Sequence, residues 1–447
     1  MTLARRFLET CDAFSKKIAI VDDNGPIIYY ELALASKKVA ALLNNYASGE
    51  YIGILLPSSK EFVASYFGIL FAGKTPVPLN PLYSSAQLSY VIKDANLNTI
   101  LTLSPFEKIL NKQGINPVYL DKVGAYCNTP LQKDIEPYIG NDDDLAALFY
   151  TSGTTANPKG VMLTHKNIVS NLQGCVPRFH FTEHAVMLGT LPLFHTLAFT
   201  TTLALPIYFG ATIVYTGRFS APKALEAIMK HEVTFVVAVP SMYRVLLRTI
   251  VERQKVETQC IASLRLCTTG GEPVPKDLIE SFNRIFSFPL IEGYGLTEAS
   301  PVVSVNSPEN NKPCTAGQPL HNLQVRIVDD GGNNLPANKD GEIWVKGPNV
   351  MKGYHNMPEE TRRTVTPDGW LKSGDIGRLD DDGFLKITGR KKELIIISGE
   401  NVSPYEIEDV LSHHPKVFEV AVVGVSDDVR GEAPKAFVSL HEHENCT

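Results

Sequence analysis

Between Tyr150 and Gly160 the chain reads Tyr-Thr-Ser-Gly-Thr-Thr-Ala-Asn-Pro-Lys-Gly, which sets four hydroxyl side chains (Thr151, Ser152, Thr154, Thr155), two glycines (Gly153, Gly160) and Lys159 in one short stretch. Hydroxyls and backbone N–H groups in a glycine-rich turn donate to anionic oxygens, and a lysine adds charge, so the chemistry suggested is polyphosphate binding. No Gly-Lys-Ser/Thr follows, which separates the stretch from a Walker A loop. A plain surface loop shares this composition. Its flanks argue against that reading. The apolar run Leu145 to Tyr150 predicts a buried strand, Val161 to Leu163 a second one, and Thr164 a cap for a helix with Ile168, Val169 and Leu172 on one face.

Two further groups could do related chemistry. Gly293-Tyr-Gly-Leu-Thr-Glu-Ala-Ser300 follows the apolar run Pro289 to Ile291, but Glu298 stands where a dinucleotide fingerprint needs its third glycine. A carboxylate there repels a pyrophosphate unless a metal cation lies between them. Trp370-Leu-Lys-Ser-Gly-Asp-Ile-Gly377 predicts a Gly-flanked turn that lets Asp375 accept two ribose hydroxyls, and Gly389-Arg390 closes a hairpin and offers a planar donor. Singly, each has a structural explanation: a solvated Glu, a turn Asp, a surface Arg.

The elements that must position these residues alternate. Over about the first 300 residues, short β runs (51–57, 75–79, 99–103, 234–239, 264–268) alternate with helical ones (61–72, 86–95, a Ser241-capped helix to Glu252, and Pro275 to Phe286). In the last of these Leu278, Ile279, Phe282 and Ile285 keep helical spacing, and Pro275 suits its first turn. Repeated βα units predict parallel sheets covered on both faces, with ligands, and the phosphate-type loop, at the carboxyl ends of strands. From about Ala316 the texture changes to short strands (323–329, 341–346, 384–388) separated by Asp-Gly and Gly-Gly turns, an antiparallel β module. After Lys392 come 394–397, a helix 404–413 and β runs 417–425 and 435–440, the start of a small α+β domain.

Length and composition narrow the classes. A chain of 447 residues is too long for one core, and its 44% apolar and 20% charged content is ordinary for a globular protein. A net charge of −6 without a basic stripe speaks against nucleic acid. The most apolar stretch, Phe199 to Tyr215, is broken by Pro206 and Gly210 and reads as a core helix and strand rather than a transmembrane span; peripheral membrane contact stays open. No apolar signal core follows Arg5 and Arg6, which predicts a cytoplasmic chain. Seven cysteines lie scattered without CxxC pairs, as reduced buried thiols would.

Taken in order, the 150–160 loop, Pro192-Leu-Phe-His195, Gly270-Gly-Glu-Pro273, the 293–298 segment, Gly341-Glu-Ile343, Ser373-Gly-Asp375 and Gly389-Arg-Lys-Lys392 resemble the acyl-adenylate-forming (AMP-binding) superfamily, from near the N-terminus to about Leu440. The resemblance implies an α/β fold: a large N-terminal domain (1–391) of two doubly wound sheets with a small β-barrel-like subdomain (about 316–391), then an incomplete α+β C-terminal lid (392–447). It also implies two half-reactions, carboxylate attack on the α-phosphorus of Mg·ATP to give acyl-AMP and pyrophosphate, then transfer to a thiol. Such chemistry calls for positioning and charge compensation more than for an acid–base residue.

By the same resemblance Thr151, Ser152, Gly153, Thr154, Thr155 and Lys159 hold the β- and γ-phosphates, Thr297 the α-phosphate, and Glu298 Mg²⁺. Tyr294 and Gly295, with Gly271, Glu272 and Pro273 opposite, enclose adenine, and Asp375 and Arg390 bind ribose. His195 stands near the carboxylate and the thiol entrance, or simply packs after Phe194. Lys392 is the hinge for the lid, and Gly399 lies in the loop that faces the pantetheine tunnel. The apolar segments around Leu197, Ala198, Phe199, Val239 and Met242 offer no counter-charge for an ammonium, which argues against an amino-acid substrate.

Gly347 to Tyr354 and Ile396 to Val402 look closest to the fatty acyl-CoA synthetases, so a medium- or long-chain fatty acid, ATP, Mg²⁺ and CoA are expected. One rival acceptor is the phosphopantetheine of an acyl carrier protein; the insertion typical of many fatty acyl-AMP ligases is absent between Gly317 and Trp370. A second rival is a non-catalytic ATP- or acyl-AMP-binding relative. The family's late Pro-x-x-x-x-Gly-Lys segment has no match here, and Lys435 lies in an earlier strand. A truncated chain and a naturally short one with weak adenylation both stay open, since losing one charge-stabilising group costs roughly 3–4 kcal/mol.

Overall fold

The computed structural model describes the chain except residues 111–114, 123–135, 152–156, 253–260, 273, 398–399, 428–430 and 441–447. The α/β expectation holds. Five short, largely buried strands (266–269, 235–238, 186–189, 212–215, 18–22) run parallel at the centre of a nine-stranded sheet. The strand Leu290–Gly295 joins them in parallel beside 266–269, and 302–305, 318–319 and 25–28 add antiparallel edges. A second sheet, 75–78, 51–55, 99–102 and 116–119, is wholly parallel. Such runs are buried on both faces by crossover helices. Lys60–Phe71 is one, capped by Ser59, whose hydroxyl accepts from Phe62 N. One core joins the sheets: Ile52 and Ile54 belong to the same buried cluster as Ile213 and Ile291, with the Phe7 and Phe67 rings stacked at 3.8 Å between centroids.

Several local expectations hold. Thr164 caps the helix His165–Cys175 by accepting from Asn167 N. The 199–215 stretch is a helix that ends at Gly210 and a strand from Thr212. Gly210 has φ +75, and a Cβ there would meet Phe14 at 2.3 Å, so both backbone and packing require glycine. Among the described residues no helix is long and apolar enough to cross a membrane. Cys11, Cys175 and Cys267 are buried thiols.

Other expectations need correction. Both strands expected around the phosphate-type loop are present, but they stand apart from the parallel sheets: Leu145–Thr151 and Lys159–Thr164 are antiparallel, and Gly353–Tyr354 completes a three-stranded sheet. The short return, about eight residues from Thr151 to Lys159, permits a hairpin but no crossover. The helix expected to follow a Ser241 cap begins two residues sooner, at Pro240, because proline suits the first helical position. Pro275 is extended (ψ 142) and precedes the helix Lys276–Ile285 rather than lying in its first turn. The antiparallel module 324–328, 341–346, 371–379 and 385–390 contains a strand, Leu371–Leu379, that was expected as a turn. Asp375 therefore sits in a strand, opposite Arg390. Gly389-Arg390 does not close that hairpin; the turn is at Asp380–Phe384, and Arg390 lies at the open end. Beyond it, 395–397, 400–402, 417–427 and 431–440 form another four-stranded sheet with the helix Pro404–Ser412.

Candidate active site

Lys159 opens its strand opposite Thr151, at the neck of the phosphate-type loop. Ser152, Gly153, Thr154 and Thr155 of that loop, Pro273, and Gly399 lie outside the described residues. The Lys159 ammonium pairs with Glu360 and lies 5.1 Å from the centroid of the Tyr354 ring. Tyr354 arrives there because Gly353–Tyr354 pairs with Val161 and Met162. Its hydroxyl donates to Glu298 Oε1 at 2.7 Å. The cation and the carboxylate picked out of the sequence are thus joined through one tyrosine, whose own ionisation is suppressed by burial first and by Glu298 second.

Glu298 and Thr297 occupy a short turn, Thr297–Ala299, fixed from outside. Met351 N donates to Glu298 O at 2.8 Å, and the Asn349 and Asn171 side-chain amides donate to Ala299 O at 2.7 and 3.3 Å. Thr196 Oγ1 donates to Thr297 Oγ1 at 3.0 Å, which ties this turn to the residue after His195. His195 is the N-cap of the helix Thr196–Phe199, lies against Phe194 and reaches solvent, and desolvation lowers its pKa, which favours the neutral ring.

Four residues upstream of Glu298, Tyr294 donates its hydroxyl to Asp375 Oδ2 at 2.5 Å, and Arg390 Nε donates to Asp375 Oδ1 at 2.8 Å. Asp375 is 6% exposed, while the Arg390 side chain is 53% exposed. The charge of Asp375 raises the Arg390 pKa, whereas burial, then Asp375, raises that of Tyr294. Next to Tyr294, Gly295 packs so closely on Pro301 that a Cβ would lie 2.1 Å from its carbonyl oxygen. At the end of the neighbouring strand, Gly270 approaches Gly293 O to 2.7 Å from a notional Cβ, and Gly271 takes φ +86. Glu272 beside it is exposed. Lys392 is exposed in the turn between 385–390 and 395–397, and its charge reaches Glu360.

Beneath Gly270, Gly271 and Tyr294 opens a cavity of about 110 Å³, partly open to solvent, walled by Leu172, Leu197, Leu205, Val237 and Val302 with Thr200 and Thr201. Thr269 also lines the cavity, and its buried Oγ1 has no hydrogen-bond partner among the described residues.

The structure therefore links Lys159 to Glu298 through Tyr354, ties Thr297 to the residue after His195, and joins Tyr294, Asp375 and Arg390, while Glu272 and Lys392 are exposed. Sequence reasoning missed Tyr354, Glu360 and Thr196. Their partners lie 56, 201 and 101 residues away in the chain, and only the Gly347–Tyr354 segment had attracted notice.

A nucleotide and Mg²⁺ fit these residues. Mg²⁺ keeps few protein ligands, one or two carboxylates besides phosphate oxygens and water, so a single oriented Glu298 suits it. Among the described residues there is no group of three or more His, Cys, Asp or Glu side chains that could hold a metal ion. Asp375 keeps about two of its four acceptor positions for hydroxyls.

Comparison with known proteins places the chain in a class. Residues 7–355 match the AMP-binding enzyme family and 406–447 match the AMP-binding enzyme C-terminal domain, and the chain belongs to that family. It is similar to a long-chain-fatty-acid–CoA ligase of Bacillus subtilis (34% identity over 98% of this chain and 85% of the relative) and to 4-coumarate-CoA ligase 1 of Narcissus pseudonarcissus (35%, 95% and 82%). Among solved structures it superposes with the o-succinylbenzoate CoA synthetase of Bacillus subtilis in complex with ATP and magnesium ion, at a TM-score of 0.88, 33% identity and 98% and 89% coverage.

Proposed function

We propose that this chain is an AMP-forming acid–thiol ligase that activates a medium- or long-chain fatty acid to acyl-AMP, releasing pyrophosphate, and then passes the acyl group to the thiol of CoA. The acid–thiol ligase class rests on the family and on relatives named as CoA ligases. The choice of acid rests on the cavity: among the described residues that line it none is charged. A second carboxylate or an ammonium buried there would lose hydration without a counter-ion, at a cost of several kcal/mol or more. Each buried methylene instead contributes about 0.8 kcal/mol.

The first step brings a carboxylate against a phosphate, two anions, so the chain's work is alignment and charge compensation. Lys159 supplies the fixed cation for the β- and γ-phosphates. Glu298, oriented by Tyr354, holds Mg²⁺, which when bound offsets phosphate charge and polarises the phosphoryl oxygens. Thr297 supports the α-phosphate end, with Thr196 fixing its hydroxyl. Asp375, locked by Tyr294 and Arg390, accepts from the ribose hydroxyls, and the Gly270–Gly271 backbone and Tyr294 border the adenine. His195, uncharged at the rim, does not repel or trap the incoming thiol. Residues 1–391 carry this site, 392–447 serve as a lid, and Lys392 is the hinge whose exposed backbone absorbs the rotation.

The test is mass spectrometry after incubation with Mg·ATP, CoA and, separately, fatty acids of increasing length, 4-coumarate and o-succinylbenzoate. Fatty acyl-CoA and AMP should form in preference to the other products. Turnover of o-succinylbenzoate with none of the fatty acids would overturn the reading of the cavity.

A further inference from the structure

The ion pair on Lys159 was not anticipated from the sequence, and its partner occupies a telling position. Glu360 lies in the short helix Pro358–Thr364. The helix is held beside Lys159 because Gly353–Tyr354 pairs with Val161 and Met162 and because Tyr354 N donates to Thr361 Oγ1 at 2.9 Å. The Lys159 and Glu360 side chains are only 16% and 31% exposed, and the Tyr354 ring lies against the same ammonium. A carboxylate therefore stands where the β- and γ-phosphates must approach Lys159. An ammonium has three donors, so contact with both is sterically allowed, but the two anions repel each other.

Handing Lys159 over does not strand Glu360. Arg363 Nη1 lies 3.9 Å from its other oxygen, and Lys392 adds positive charge nearby. Together with Lys159, whose hydrogen bond is the largest contribution, these groups hold the Glu360 carboxyl below its ordinary pKa, so it stays ionised.

Resting on the nucleotide-site reading above, we propose that Glu360 is a positioning residue, a built-in counter-ion that holds Lys159 in place and competes with the polyphosphate for it. The competition weakens the binding of pyrophosphate and so favours its departure after adenylation. It acts on the β- and γ-phosphates alone and leaves AMP recognition untouched.

Calorimetric titration of pyrophosphate, ATP and AMP, in magnesium buffer, into wild type, E360Q, K159Q and the double variant tests this. E360Q should bind pyrophosphate and ATP about three- to fivefold more tightly, the scale of a partly exposed ion pair, with an unchanged AMP Kd. K159Q should weaken pyrophosphate binding and erase the gain in the double variant. If K159Q weakens pyrophosphate binding but E360Q fails to strengthen it, the counter-ion role is wrong and the nucleotide site stands. If E360Q shifts AMP as much as pyrophosphate, Glu360 is structural and the proposal falls. If K159Q binds pyrophosphate as wild type does, the phosphate-loop reading fails and takes this proposal with it.

Discussion

Replacing Asp375 with asparagine keeps the shape of a side chain in a residue that is 6% exposed and removes its charge. Of about four acceptor positions on the carboxylate, the Tyr294 hydroxyl at 2.5 Å and Arg390 Nε at 2.8 Å take two. Two remain for ribose. In Asp375→Asn one oxygen becomes a donor, so one ribose hydroxyl loses its acceptor and the other faces a neutral one. Hydrogen bonds to a charged group contribute about 1.5–3 kcal/mol and neutral ones about 0.5–1.5. The expected loss is about 2–3 kcal/mol, or about 30- to 150-fold in the Kd for AMP. The folding cost is smaller, about 1 kcal/mol, because Arg390 is half in water and its pair with Asp375 is screened. Calorimetric titration with AMP and with pyrophosphate separates the two effects, since only AMP carries ribose. An AMP Kd within about threefold of wild type would refute the ribose assignment. Parallel loss of both ligands would show that Asp375 supports the fold instead.

Other perturbations address other parts of the site. Tyr354→Phe removes the donor at 2.7 Å from Glu298 and should raise the half-saturating Mg²⁺ for adenylation about tenfold while AMP binding holds; an unchanged Mg²⁺ dependence would reduce Tyr354 to packing. Glu292 has a buried oxygen with no hydrogen-bond partner among the described residues, and burial pushes its pKa from 4.5 to about 8 against the pull of Lys386. In that window the folded chain binds the proton and the unfolded chain does not. The group therefore contributes stability in full below about pH 4.5 and loses it as pH rises through about 8. Thermal unfolding of wild type should accordingly fall, relative to Glu292→Gln, between these pH values, and parallel profiles would contradict the shift. Thr201→Trp, on the cavity wall, should exclude about three methylenes and lower kcat/KM for the longer acids about 50-fold while sparing short ones. Equal loss at every length would place Thr201 away from the acyl tail.

What the sequence made legible was local. The alternation of Val- and Ile-rich runs with amphipathic helices, the Thr164 cap and the stop at Gly210 each express a propensity within a few residues, and all recur in the fold. The Asp375 strand was hidden because Gly374 and Gly377 flank Asp375 and mimic a turn; cross-strand pairing with Arg390, which only the register reveals, makes it a strand. Strands on either side of the 151–159 connection were legible but not their pairing, because a buried apolar run is equally at home in parallel and antiparallel sheets. Candidate residues could be chosen by type, but not their supports. That Tyr354 reaches Glu298 and Glu360 reaches Lys159 depends on Gly353–Tyr354 adding to the edge of Lys159–Thr164, a contact no periodicity announces.

Attack of the acid on the α-phosphorus is the central claim, and isotope transfer tests it most directly. A fatty acid labelled with ¹⁸O in its carboxylate would be turned over with Mg·ATP and CoA, and the nucleotide product weighed by mass spectrometry. Passage through acyl-AMP predicts one labelled oxygen in AMP and none in pyrophosphate. Label in inorganic phosphate, with ADP as the nucleotide product, would mean attack at the γ-phosphorus and would contradict the account.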